Sequence, residues 1–163
     1  MYDAKRTTEQ ILTMLEAWPL RLAGLTEGLP PAQLVTPPGP GEWSARDVLG
    51  HLRACGDMWG KCILQILTED RPVIKAVNPT TWIKKTNYLE LEFHPSFQAY
   101  TAQRAELLEV LRPLTPEEWS RSAVVIGVGK SIERTVYTYG QWLANHEQSH
   151  TRQIARIVDM IRS

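Results

Sequence analysis

Residues 135–161 read TVYTYGQWLANHEQSHTRQIARIVDMI, and the spacing of the apolar residues within them decides the fold. Val136, Tyr139, Leu143, His146, His150, Ile154 (or Gln153), Ile157 and Ile161 recur at steps of three and four. That is the pattern of a helix with one face turned to a core. Two imidazoles, His146 and His150, fall in this seam. Side chains four apart on a helix point the same way, with Cβ atoms roughly 6 Å apart, so both rings can reach one metal ion. The letters His146-Glu147-Gln148-Ser149-His150 also match the H-E-x-x-H pattern of zinc proteases, in which the glutamate is the general base.

Working outward, three more stretches carry helical stripes. Over residues 8–28 the stripe is Ile11, Leu15, Trp18, Leu22 and Leu25, running on to Leu29. Thr7 followed by Gln10 makes a capping box at its start, and Pro19 should kink or split it. A Pro/Gly-rich connection, residues 30–41, leads to Ser44, an N-cap with Asp47 three residues on. The second helix reads Val48, His51 or Leu52, Cys55, Trp59, Cys62, Ile66 along its inner face. The third begins near His94-Pro95, since proline suits the first helical turn, with Phe97, Tyr100, Arg104, Leu107 or Leu108, and Leu111 as its stripe. Residues 71–93 show no clean period and are read as a functional cover or a poorly ordered loop. Thr115 with Glu118 signals one short helical turn. Residues 123–134, with valines around Gly127 and Gly129, suggest a small hairpin or extended loop. The expectation is an all-α, antiparallel four-helix bundle forming a single domain over residues 1–163. It has a long loop between helices 2 and 3 and a short extended segment before the last helix.

Composition agrees with a globular domain and excludes several classes. The 163 residues are 43% hydrophobic and 22% charged, with eighteen basic residues against eighteen acidic. Such a balance lacks the basic footprint of a nucleic-acid binder. No apolar run approaches the ~20 residues that span a bilayer, and residues 1–10 are too polar for a signal peptide. A cytoplasmic protein with reduced cysteines is expected. Cys55 and Cys62, seven apart on one helix, are separated by roughly 10 Å, too far for a disulfide.

The chemistry turns on the third ligand. His51 occupies a seam position on the second helix, and bundles build metal sites from inward side chains on facing helices. Three histidines and a water make an open, catalytic type of site. The protease reading is the weaker one. Zincins take their third ligand downstream, yet the only carboxylate after His150 is Asp159, roughly 13 Å along the helix axis. Glu147 is the candidate catalytic base if it sits beside the metal; one residue off the stripe, it reads more simply as a solvated side chain. Cys55, one turn past His51 on the same stripe, could line the site or act as an extra ligand, and a small buried packing residue is the favoured reading. His94 stands in reserve as a ligand.

Two segments resemble a known family. Trp43-Ser44-Ala45-Arg46-Asp47-Val48-Leu49-Gly50-His51-Leu52 resembles the second-helix motif of the DinB-like (YfiT-like) superfamily. Trp142-Leu143-Ala144-Asn145-His146-Glu147-Gln148-Ser149-His150-Thr151-Arg152-Gln153-Ile154 resembles its last-helix motif, and Arg104 falls where the family often has an arginine. The resemblance implies a four-helix bundle, commonly a homodimer, with a divalent metal on His51, His146 and His150. It implies hydrolysis, or transfer of a low-molecular-weight thiol to a small electrophilic substrate. Neither nucleic acid nor membrane is expected as a partner. Three imidazoles suit zinc, nickel, iron or copper. An anionic thiol would want a basic groove, for which Arg53, Arg104 and Arg152 are the candidates. The alternative is a non-catalytic metal-binding or interaction bundle.

Overall fold

The computed structural model describes residues 2–162. Four long helices dominate it: α1 (Thr8–Thr26), α3 (Ala45–Thr68), α5 (Phe93–Leu111) and α7 (Val136–Arg162). Short helical turns α2 (Pro31–Leu34), α4 (Pro79–Ile83) and α6 (Pro116–Trp119) lie in the connections. Local chemistry explains the helix starts. Thr7, Ser44 and Thr115 each accept the N3 amide hydrogen bond, and Gln10, Asp47 and Glu118 reach back to the cap backbone. Pro19 does not split α1; the helix runs through it with the ring buried.

The all-α expectation takes one correction. A three-stranded sheet joins β1 (Val73–Lys75), β2 (Ser122–Ile126) and β3 (Ile132–Thr135). β2 and β3 form the hairpin expected around Gly127 and Gly129, both at positive φ. β1 comes from the aperiodic loop and pairs parallel to β2, Val73 with Val124 and Lys75 with Ile126. Three residues are too few to show a period of two, so this strand exists through its long-range pairing.

Helix directions correct a second point. His51 of α3 meets His146 of α7 while Trp59 meets Trp142, so these two run antiparallel. α1 and α7 instead run the same way: Trp18 donates to the Ala144 carbonyl and Arg162 to that of Glu27. α3 and α5 are also parallel, with Arg53 donating to Ser96 and Gln103 to Asp57. The expected antiparallel bundle therefore holds for two of its neighbouring pairs only. The connection over residues 69–92 carries the chain back along the bundle before α5 begins. It is pinned to α3, because Asp57 accepts from Trp82 Nε1 (3.2 Å) and from the Tyr88 hydroxyl (2.5 Å). The Arg53 guanidinium covers the Tyr88 ring at 3.8 Å.

Two apolar clusters fill the bundle. One gathers Ile11, Leu15, Ile63, Ile66, Leu111, Tyr139 and Leu143 with the sheet residues Ile74 and Ala123. The other gathers Leu22, Leu34, Val48, Leu49, Leu52, Phe93, Ile154 and Ile157. Along α3, the histidine and thiol positions 51 and 55 fall between Val48, in the second cluster, and Ile63, in the first.

Candidate metal centre

Antiparallel packing of α3 on α7 brings three imidazoles from distant parts of the chain together. Ring centroids of His51, His146 and His150 lie 4.9, 4.8 and 4.4 Å apart pairwise. The Nε2 atoms of His51 and His146 approach to 2.9 Å. Cys55 joins them, its Sγ 3.8 Å from His51 Nε2 and 3.7 Å from His146 Nε2. His150 Nδ1 lies 2.7 Å from the Gln153 side-chain oxygen. An amide oxygen only accepts, so Nδ1 carries the proton and Nε2 keeps its lone pair.

Ligand atoms of His51, Cys55 and His146 all lie within 4.8 Å of one another, a group that could hold a cation, whereas His150, expected as the third ligand, stands outside that group. Burial, helped by His150, pushes the His51 pKa down to about 4. Burial with His150 and His51 pushes that of His146 down to about 2. Burial lowers His150 as well, against the opposing hydrogen bond to Gln153. All three rings are thus uncharged near neutrality. His146 Nδ1 is buried without a hydrogen-bond partner, while its Nε2 is the nitrogen that faces His51 and Cys55. Burial, with the nearby Glu147, raises the Cys55 thiol to about 12.

Aromatic rings wall the cluster. Trp59 packs on His146 at 5.2 Å, and Tyr2 meets the same ring edge-on at 5.0 Å. Trp43, 43% exposed, lies 5.2 Å from His51 and stacks near His150 at 6.5 Å. Tyr2 belongs to an N-terminal strap tied to α7. Asn145 donates to the Tyr2 and Ala4 carbonyls, and Arg6 donates to the side chains of Asn145 and Gln141. No helical period marks the strap in the sequence.

Glu147 is not the solvated side chain expected. It is fully buried, and both carboxylate oxygens are engaged. Oε1 accepts from the Tyr100 hydroxyl at 2.5 Å and Oε2 from the Arg104 guanidinium, which also donates to the Leu15 carbonyl. Burial works against the Arg104 charge, but Glu147 and Tyr100 outweigh it and raise its pKa. The reason is angular: one residue past His146 turns the side chain about 100° round the helix, toward α1 and α5. The basic residues considered for an anionic thiol do not form a groove. Arg104 is sealed in this ion pair, Arg53 covers Tyr88 and Arg152 is exposed on α7. His94, the reserve ligand, is exposed near the start of α5.

Comparison with known proteins covers the same stretch of chain. A family model described as the DinB superfamily matches residues 14–154. A protein of Halalkalibacterium halodurans named "Putative metal-dependent hydrolase" is 28% identical over 153 residues, covering 93% of this chain and 85% of its own. One of the same name from Geobacillus kaustophilus is 25% identical, covering 91% and 83%. The solved structure of YfiT from Bacillus subtilis superposes with a TM-score of 0.78 at 21% identity, over 94% of this chain and 87% of that one. It is described as "a probable metal-dependent hydrolase with an unusual four-helix bundle topology". At that identity the likeness establishes the fold.

Proposed function

The chain belongs to the DinB superfamily, and from that premise we propose that it is a metal-dependent hydrolase of a small-molecule substrate, with His51, His146 and His150 as metal ligands. The observation that carries this is the meeting of three uncharged imidazoles from two helices, with ring centroids 4.4–4.9 Å apart. A divalent cation held by these residues would supply Lewis acidity and could activate water for hydrolysis near neutrality.

The protein's own residues do the rest. Gln153 orients His150 through Nδ1, and Trp59 and Tyr2 shield His146 from water. Trp43 is the half-exposed ring on the side where a substrate would approach. Glu147 serves as the anchor that holds α7 against α1 and α5, and not as the base, because both its oxygens already accept hydrogen bonds. Thiol transfer is the second reading, and the dispersal of Arg53, Arg104 and Arg152 weighs against it.

The test begins with elemental analysis of protein purified without chelator or affinity tag. Turnover of activated esters is then compared with turnover of an electrophile plus low-molecular-weight thiols. Stoichiometric metal with chelator-sensitive ester hydrolysis is expected. Metal-loaded protein inactive in both assays would overturn the enzymatic reading.

A further inference from the structure

Cys55 is the buried polar group at the centre to which a three-histidine site assigns no role. It lies one turn beyond His51 on α3 and is 1% exposed. The ligand atoms of His51, Cys55 and His146 all lie within 4.8 Å of one another; His150 stands outside that group, its ring centroid 4.8 and 4.4 Å from those of His51 and His146. Metal–nitrogen bonds of about 2.05 Å and a metal–sulfur bond of about 2.3 Å, set tetrahedrally, give S···N edges of about 3.6 Å and N···N edges of about 3.3 Å. The sulfur edges here, 3.8 and 3.7 Å, are within about 0.2 Å of those values. The nitrogen edge, 2.9 Å, is short by about 0.4 Å. A cation would part the two imidazoles slightly and find the sulfur already in place. Cys62, two turns further along α3, makes the contrast. It is partly exposed and lines a cleft with Lys61, Lys75, Arg134 and Tyr139, where no imidazole is near.

We propose that Cys55 is a metal ligand, its thiolate joining His51, His146 and His150 in a three-nitrogen, one-sulfur donor set. The proposal rests on the metal-dependent reading above. On coordination the S–H bond breaks, a metal–sulfur bond forms and the proton leaves to solvent; no oxidation state changes. Two consequences follow. A thiolate among imidazoles shifts preference toward zinc over nickel and iron. Four protein donors fill a tetrahedron, so a reacting water or substrate needs a fifth position, which zinc sites can open.

The experiment loads the full chain with zinc or cobalt(II). X-ray absorption of the zinc form should show a sulfur neighbour at about 2.3 Å, and the cobalt form a near-ultraviolet thiolate charge-transfer band. Cys55→Ala should remove both signals and weaken zinc binding roughly tenfold or more, whereas Cys62→Ala should keep both. Cys55→Ser, closer in volume, replaces the alanine variant if that one fails to fold. A shell of nitrogen and oxygen alone in loaded wild type, or a band that survives Cys55→Ala, overturns the proposal and leaves the three-histidine reading standing. Failure to take up either metal overturns both.

Discussion

His146 and Glu147 are consecutive on α7, yet they end in opposite kinds of buried site. His146 faces α3 in a cluster of uncharged imidazoles, where one nitrogen has no partner. Glu147 faces α1 and α5, where its charge is matched by Arg104 and Tyr100. The first site gathers uncharged donor atoms; the second is a matched pair of charges. One helix can therefore carry chemistry on one face and architecture on the next, and the two should respond differently to mutation.

The largest effect is expected on the architectural side. Glu147→Ala strands Arg104 as a buried, unpaired charge and should cost about 3–5 kcal/mol in denaturant unfolding of the metal-free protein. Unchanged stability would free Glu147 for a chemical role and erase the contrast. Next comes the metal side. Zinc at a hundredfold its Kd should stabilise the wild type by about 2.7 kcal/mol, and chelator should remove that gain. His146→Asn should abolish most of the gain while leaving metal-free stability within about 1 kcal/mol of wild type; calorimetry with and without zinc reads both. Tyr100→Phe deletes one hydrogen bond to a charged oxygen and should cost about 1.5 kcal/mol, with zinc affinity unchanged. A drop in zinc affinity for that variant would show the two sites to be coupled.

A further effect is expected in the pH dependence of the metal-free protein. His51 and His146 resist protonation when folded, at about 4 and about 2, while unfolded imidazoles titrate near ~6.5. The unfolded chain therefore gains protons first, so stability is full above pH ~6.5 and falls as pH drops from there toward 4. Urea midpoints across that range check the sign, and His51→Asn should flatten the slope.

Much of this was legible in one dimension. The capping pairs Thr7 with Gln10 and Ser44 with Asp47 mark helix starts because their hydrogen bonds close within four residues. The seam of α7 announces His146 and His150 because helical periodicity is local. Glu147 was misread for the same reason. Periodicity says which residues leave the main stripe, and a helix packed on two sides buries more than one stripe: α7 contacts both α1 and α3. Cys55 was read as packing because spacing cannot distinguish a small apolar filler from a thiol within 4 Å of two imidazole nitrogens. The strand Val73–Lys75 and the Tyr2 strap carry no local signal at all; each exists through partners roughly 50 to 145 residues away.

The sequence by itself determined four amphipathic helices, where they start, and three histidines on inward faces, because these follow from side-chain period and capping chemistry within a few residues. Only the tertiary structure decided that α1 runs parallel to α7, that Glu147 is sealed by Arg104 and that Cys55 stands beside the imidazoles. Those outcomes depend on which helix packs against which, and packing across the bundle is set by long-range burial that no local window contains.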